Sequence, residues 1–216
     1  MGAKTFYTLT RSQRIYDKIK RILDLVISAV ALFVLAIPMA LLAAAVKLGD
    51  GGPVFFAQTR VGKEKKHFKM LKFRTMAVDT PHDTPTHLLS DPYRYITPVG
   101  RFLRRTSLDE LPQLIHIFLG HMSIVGPRPA LWNQFDLIGE RDKYGVHQVR
   151  PGLTGWAQVN GRDELEIPVK AALDGEYIEK FGLAMDIRCF FATFGILGGK
   201  GVVEGGTGTM DQEKKK

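Results

Sequence analysis

The chain holds a single cysteine, Cys189, among its 216 residues. No intrachain disulfide can form, so a disulfide-stapled scaffold is excluded, and the composition fits a reducing compartment. The six histidines include no HExxH pattern. His116 and His121 stand five apart, off a common helix face, and His82 and His87 fall in a polar stretch. This argues against a zinc centre. There is no P-loop, no dinucleotide fingerprint and no internal repeat. The most telling absence is of charge, for none occurs from Leu25 to Val46. Such a run is long for a core helix and points to a membrane. The mean hydropathy of −0.04 is therefore an average of two unlike parts.

The net charge is +8, from 30 Lys+Arg against 22 Asp+Glu. Basic residues flank the apolar run on both sides: Arg11, Arg14, Lys18, Lys20 and Arg21 before it, Lys47, Arg60 and Lys63 onward after it. A single crossing would place one of these clusters on the outer face, against the positive-inside tendency. Pro38 lies inside the run and removes a helical hydrogen bond. A signal peptide is disfavoured by the length of the run. The reading that satisfies both charge and proline is a re-entrant helix–break–helix that enters and leaves by the cytoplasmic face, bending at Pro38. Placing the basic charge around an apolar run favours lipid and phosphate as partners over nucleic acid.

The expected organisation is α+β and mainly helical. Residues 1–24 form an interfacial basic lead-in, 25–48 the re-entrant membrane helix, 49–197 a small cytoplasmic catalytic domain and 198–216 a disordered tail. Within the domain, residues 54–56 and 68–73 read as short strands about a turn at Lys63–Lys66. Residues 79–98 read as a long loop, 108–119 and 131–139 as helices, and 150–155 as a tight loop. Residues 163–181 read as a helix interrupted near Pro168. The apolar segment 187–197 suits either a core helix or an interfacial one.

The stretch from Arg101 to Leu114 carries the chemistry: three arginines, then the adjacent carboxylates Asp109 and Glu110. Two readings compete. In one, Ser107 and Glu110 form a capping box and Asp109 is a first-turn acid favoured by the helix dipole. In the other, the helix starts at Pro112 and the acids lie on the turn before it. Arg104, Arg105, Arg128 and Arg150 are suited to gripping phosphate oxygens, and the last two adjoin prolines in stiff turns. Carboxylates among arginines near a membrane point to a diphosphate substrate with Mg²⁺, which favours one or two carboxylates plus substrate oxygens.

These motifs resemble those of the bacterial sugar transferases, the monotopic polyprenyl-phosphate phosphoglycosyl transferases. The resemblance runs from about Tyr16 to Ile196. It rests on Lys20-Arg21-Ile22-Leu23-Asp24, on Gly52 to Gln58 with Arg60 and Gly62, and on Lys72-Phe73-Arg74-Thr75-Met76. It continues through Ser107 to Leu114, Met122 to Pro129 and Arg150 to Gln158. Ile37 precedes the break proline where the family often has serine, and His116 stands where it usually has asparagine.

The resemblance implies transfer of a sugar 1-phosphate from a UDP-sugar to polyprenyl (undecaprenyl) phosphate with release of UMP. The family mechanism is ping-pong, and Mg²⁺ is required. By carry-over, Asp109 is the nucleophile and Glu110 its partner carboxylate, both also candidate metal ligands. Arg104, Arg105, Arg128, Arg150, Lys72 and Arg74 form the expected phosphate- and substrate-binding set. The implied setting is the cytoplasmic face of the bacterial inner membrane, in capsule, exopolysaccharide or O-antigen-like synthesis, in the minimal form that lacks further membrane helices. Implied partners are the UDP-sugar, the polyprenyl phosphate and the phospholipid bilayer, with a homodimer left open and no nucleic acid. Ala130 to Gln134, with Asp79-Thr80-Pro81 upstream, resembles members acting on N-acetylated 6-deoxy sugars. The rival reading is a membrane-bound, non-catalytic anion-binding scaffold in which Asp109 and Glu110 only cap a helix.

Overall fold

The computed structural model describes residues 7–78, 80, 95–161 and 165–198. The expected tail at 198–216, apart from Gly198, and most of the loop at 79–98, with His82 and His87, lie outside these residues. The described chain is mainly helical, with two small two-stranded sheets.

One helix dominates. α1 runs Arg11–Asp50 as one continuous helix, through both the expected lead-in and the apolar run and through Pro38, where a break was expected. A capping box opens it: the Thr10 side chain accepts from Gln13 N while the Gln13 side chain accepts from Thr10 N. Gly51, at φ 72°, closes it in the left-handed region that glycine tolerates. A straight helix of this length would measure ~60 Å, about twice the hydrocarbon thickness of a bilayer.

The helix is inverted relative to that of a water-soluble protein. Lys20, Asp24 and Ser28, spaced by four, are buried against the rest of the chain, while Val26, Val30, Phe33, Val34, Ile37 and Leu41 are exposed. Only 6% of the most apolar 18-residue window is buried. A core helix is thereby ruled out, for a core helix hides its apolar side.

The polar stripe has partners. The Lys20 ammonium pairs with Asp186, whose carboxylate also accepts from Tyr16 Oη and Tyr177 Oη, each at 2.7 Å. Asp24 Oδ1 accepts from Ile124 N at 3.0 Å, and Arg21 donates to the carbonyls of Ile117 and Phe118, both at 2.7 Å. Farther along, Ala31, Leu32 and Leu35 pack on Met70, Leu114, Ile117 and Met122. Met39, Leu42, Ala43 and Val46 pack beside Phe73 and Leu103. Residues on either side of Pro38 thus rest on one body of protein.

Strands β1 (Phe55–Val61) and β2 (His67–Phe73) form an antiparallel hairpin, with Phe55 opposite Phe73 and Val61 opposite His67. The alternation of inward and outward residues continues past Phe56, so β1 is longer than three residues. Helix α2 (Pro98–Thr106) starts on the Thr97 N-cap with proline at its first turn, where the expected loop at 79–98 ends. A 3₁₀ turn, Leu108–Glu110, follows, and then α3 (Gln113–Leu119), stopped by Gly120 at φ 85°.

β3 (Ser123–Val125) pairs in parallel with β4 (Gly152–Thr154), so the expected tight loop at 150–155 contains a strand. A Cβ at Gly152 would lie 2.1 Å from Gly126 N, so the approach of these chains requires glycine.

Helix α4 spans Phe135–Asp142, four residues later than expected, because Leu131 instead forms a bridge with Arg60 and a turn with Gln134. α5 is the single turn Trp156–Val159. α6 spans Ile167–Glu179, and Pro168 begins it rather than interrupting it. α7, Leu183–Gly198, buries Met185, Asp186 and Cys189 and exposes Phe190, Phe191 and Phe194, so it is both core and surface.

Removing one partner of the buried ion pair that ties α1 to α7 strands the other charge. Lys20→Met is expected to lower stability by about 3 kcal/mol, on the scale of other broken buried pairs. Lys18→Met, on the exposed face, is expected to change nothing measurable. Thermal unfolding of the detergent-solubilised variants checks this, and equal melting temperatures would refute it.

Candidate active site

The acidic pair sits on the 3₁₀ turn between α2 and α3. Ser107 enters this turn at φ 56°, and its side chain makes no capping bond. The capping box is therefore not formed. Pro112 precedes the first residue of α3, and the carboxylates lie on the turn before that helix, as the second reading required.

Asp109 is 9% exposed, and the Glu110 side chain 19%. Two cations meet Glu110 at one oxygen: Lys72 Nζ and Arg128 Nη2 each lie 2.7 Å from Oε1. Lys72 comes from β2 and Arg128 from the loop after β3. The same Lys72 Nζ is 3.9 Å from Asp109 Oδ2. Arg104, on the last turn of α2, donates through Nε to Thr75 Oγ1 at 2.9 Å and contributes positive charge near Asp109.

The two acids are held in opposite electrostatic states. Burial pushes the Asp109 carboxyl up, and Glu110 adds to the rise, while Lys72, Arg104 and Arg128 oppose it without cancelling it. Glu110 also suffers burial, but Arg128 and Lys72 outweigh it and hold its carboxyl well below the usual range. The pair thus combines one firmly ionised, clamped carboxylate with one whose charge is poorly stabilised. Such a division marks functional sites more often than structural ones.

The expected set of basic residues is brought together only in part. Lys72, Arg128 and Arg104 surround the pair. Arg105 is exposed on α2. Arg74 binds the carbonyls of Pro53 (2.6 Å) and Met76 (2.9 Å) and pairs with Asp50, which fastens the end of α1 to β2. Arg150 donates to the carbonyl of Gly120 at 3.1 Å and lies 3.3 Å from Asp17. Its bonds run to α1 and to the end of α3, not to the acids.

Spacing concealed two further contacts. Gly120 folds the chain back so that His116 Nδ1 and His121 Nδ1 lie 3.3 Å apart. His116 Nε2 accepts from Leu71 N at 3.1 Å, joining α3 to the strand that carries Lys72. Among the described residues no group of three or more His, Cys, Asp or Glu could hold a metal. Asp109 and Glu110 both lie within ion-pair distance of one cation, Lys72 Nζ.

The family model described as bacterial sugar transferase matches residues 15–199. The chain is 38% identical to the sugar transferase EpsL of Bacillus subtilis, over 81% of this chain and 85% of that protein. It is 40% identical to the UDP-glucose:undecaprenyl-phosphate glucose-1-phosphate transferase of Escherichia coli, over 81% of this chain but only 39% of the longer relative. The exopolysaccharide production protein ExoY of Sinorhizobium fredii is 36% identical, with 81% and 83% covered.

The opposed states of the acids make a stability prediction with a sign. A carboxyl whose folded pKa is raised destabilises the fold above its unfolded value and has no effect below it. Asp109→Asn is therefore expected to raise the melting temperature at neutral pH, the gain vanishing below about pH 3.8, its ordinary value. Glu110→Gln is expected to lower it at neutral pH. The contribution of Glu110 is fully present above its ordinary value of 4.5 and is lost as pH falls through its depressed folded value. Calorimetry of both variants across pH 3–8 tests this, and a melting temperature lowered by Asp109→Asn would return that residue to a helix-capping role.

Proposed function

The chain belongs to the bacterial sugar transferase family, and from that premise we propose that it transfers a sugar 1-phosphate from a UDP-sugar to undecaprenyl phosphate, releasing UMP, in exopolysaccharide synthesis. The observation that carries the reading is the asymmetric acid pair: a buried, poorly stabilised carboxylate beside one that two cations already neutralise. The names of the Escherichia coli relative and of the undecaprenyl-phosphate glucose phosphotransferase of Komagataeibacter xylinus support the lipid acceptor.

In the first step an Asp109 carboxylate oxygen attacks the β-phosphorus of the UDP-sugar. The bond from that phosphorus to the bridging oxygen breaks, and UMP leaves with the electron pair. In the second step an oxygen of undecaprenyl phosphate attacks the same phosphorus. The bond to Asp109 breaks, the carboxylate is restored, and the lipid carries a diphosphate-linked sugar. A carboxylate nucleophile divides one difficult displacement between anions into two. Little bond chemistry is asked of the remaining residues, whose task is to position groups and neutralise charge. Lys72 and Arg128 hold Glu110 still and present positive charge to the incoming diphosphate, as Arg104 does beside Asp109.

Two hard-oxygen carboxylates within reach of a single cation suit Mg²⁺. Asp109 and Glu110 are the residues that would hold it, and its charge would offset that of the diphosphate and of the departing UMP.

We further propose that α1 is re-entrant, with the bilayer covering its exposed apolar face. Supporting this, residues on both sides of Pro38 pack on one body of protein, and basic clusters flank both ends. The Asp50–Arg74 tie fastens the end of α1 to β2 two residues from Lys72, which would hold the acid pair near the headgroups where a lipid phosphate waits. On this reading the protein docks on the cytoplasmic face of the inner membrane without crossing it.

Purified protein with Mg²⁺, undecaprenyl phosphate and a panel spanning UDP-glucose and UDP-linked N-acetylated 6-deoxy sugars is expected to release UMP. Chelation of the metal should abolish release, and Asp109→Asn should reduce it by at least about a thousandfold. Without acceptor, mass spectrometry should find a phosphosugar adduct on the peptide holding Asp109. Release of UDP would mean that the bare sugar is transferred, and no release with any donor would defeat the proposal. For topology, Leu48, 85% exposed on the last turn of α1, offers a reporter position because the native Cys189 is buried. Leu48→Cys should resist an impermeant thiol reagent in intact cells and react after lysis, whereas labelling in intact cells would mean that α1 crosses.

A further inference from the structure

Arg128 reaches Glu110 from a segment that cannot organise itself. Residues 127–130 adopt no regular secondary structure, and Pro127 and Pro129 have no N–H to donate. Their carbonyls are instead taken one after another by donors from elsewhere. Pro127 O accepts from Gly152 N at 2.9 Å, and Ala130 O from Val61 N at 2.9 Å. Pro129 O accepts from Arg60 Nη1 at 3.0 Å, and Arg128 O from Arg141 Nη1 at 2.9 Å.

The last donor is unlike the others. Arg141 lies on α4, 3% exposed, and its other nitrogens are committed to Asp174 on α6, itself 1% exposed. Nε is 2.8 Å and Nη2 2.6 Å from Asp174 Oδ2. A buried ion pair is a poor device for stability alone, since well-packed apolar residues of like volume often stabilise as much or more. What apolar residues cannot do is offer a third N–H, in the plane of the first two, to a backbone carbonyl. A lysine in the same place would present a single point charge and no fixed fork.

We propose that the Arg141–Asp174 pair is a positioning device for the reaction. It fixes the Arg128 peptide from beneath, so that the Arg128 side chain meets Glu110 and the substrate's phosphates at a set place. Asp174 orients the guanidinium, Arg141 holds the carbonyl, and Arg128 carries the alignment to the acid pair. Neither Arg141 nor Asp174 touches the acids. The proposal rests on the reaction put forward above.

The test uses the full chain and two variants. Arg141→Met with Asp174→Leu removes both charges together and so strands neither. Arg141→Lys keeps a charge opposite Asp174 but loses the planar third donor. Both are expected to fold, by melting temperature and circular dichroism, and to release UMP at a kcat/KM lowered about 10- to 100-fold, the scale of a misplaced charged group. Adding Arg128→Ala should cost much less in the paired variant than in the wild type, because the alignment it would destroy is already lost. Full activity in folded Arg141→Lys, or an Arg128→Ala loss as large in the variant as in the wild type, would overturn the proposal. A second readout needs no turnover. The Arg128 Nε–H resonance of arginine-labelled protein, assigned through Arg128→Lys, should exchange faster with solvent in both variants, and an unchanged rate refutes the positioning role. If wild type releases no UMP, the proposed reaction fails, and the exchange measurement still decides this one.

Discussion

Glu110 is the point on which the site converges. Its carboxylate is largely withdrawn from water beside a second carboxylate, a placement that burial and like charge both oppose. Two cations make it tenable, and each is delivered by a different part of the chain. Lys72 depends on the hairpin, and the hairpin on its register. Arg128 depends on a proline-flanked loop whose carbonyls are held by a glycine strand, a β1 amide and two arginines. With Glu110 neutralised, the burden of burial falls on Asp109. The nearby cations moderate that burden without removing it, and an uneasy carboxylate is what a covalent mechanism can use.

The same logic of opposed surroundings governs α1. One side of the helix must satisfy a protein interior that offers Asp186 and the Ile124 amide. The other side presents valine, isoleucine and phenylalanine outward. Only the first turns present this polar stripe inward, since from Ala31 to Val46 the inner contact is apolar as well, and the outward apolar face is left without a protein partner among the described residues. The Lys20, Asp24 and Ser28 stripe acts as a register mark: sliding the helix by one residue would separate Lys20 from Asp186 and Asp24 from the Ile124 amide.

Much of this was legible in the chain itself. The uncharged run, Pro38, the acid pair and the proline-flanked Arg128 all declare themselves by local pattern. The strands about Lys63–Lys66 follow from alternation, and the helix stop at Gly120 from the left-handed conformation glycine permits. Other features were hidden because their partners are remote in sequence. β3 and β4 are three residues each and pair across 29 positions, too short to show a period. The ties of Arg74 to Asp50 and of Arg141 to Asp174 look, in sequence, like any other surface charges. The two histidines stand five apart, off a common helix face, and only the reversal at Gly120 brings them together.

The sequence by itself determined which residues can do chemistry, because residue type sets charge, donor geometry and backbone freedom. It also determined that one segment seeks an apolar medium, because burial of apolar surface scales with composition. The tertiary structure alone decided which of six candidate cations serve the acids. It gathered Lys72, Arg104 and Arg128 there and assigned Arg74 and Arg150 to tie α1 in place. It also decided which acid is clamped and which is left strained. These are questions of distance and burial, and a charge acts on another through space, whatever their separation along the chain.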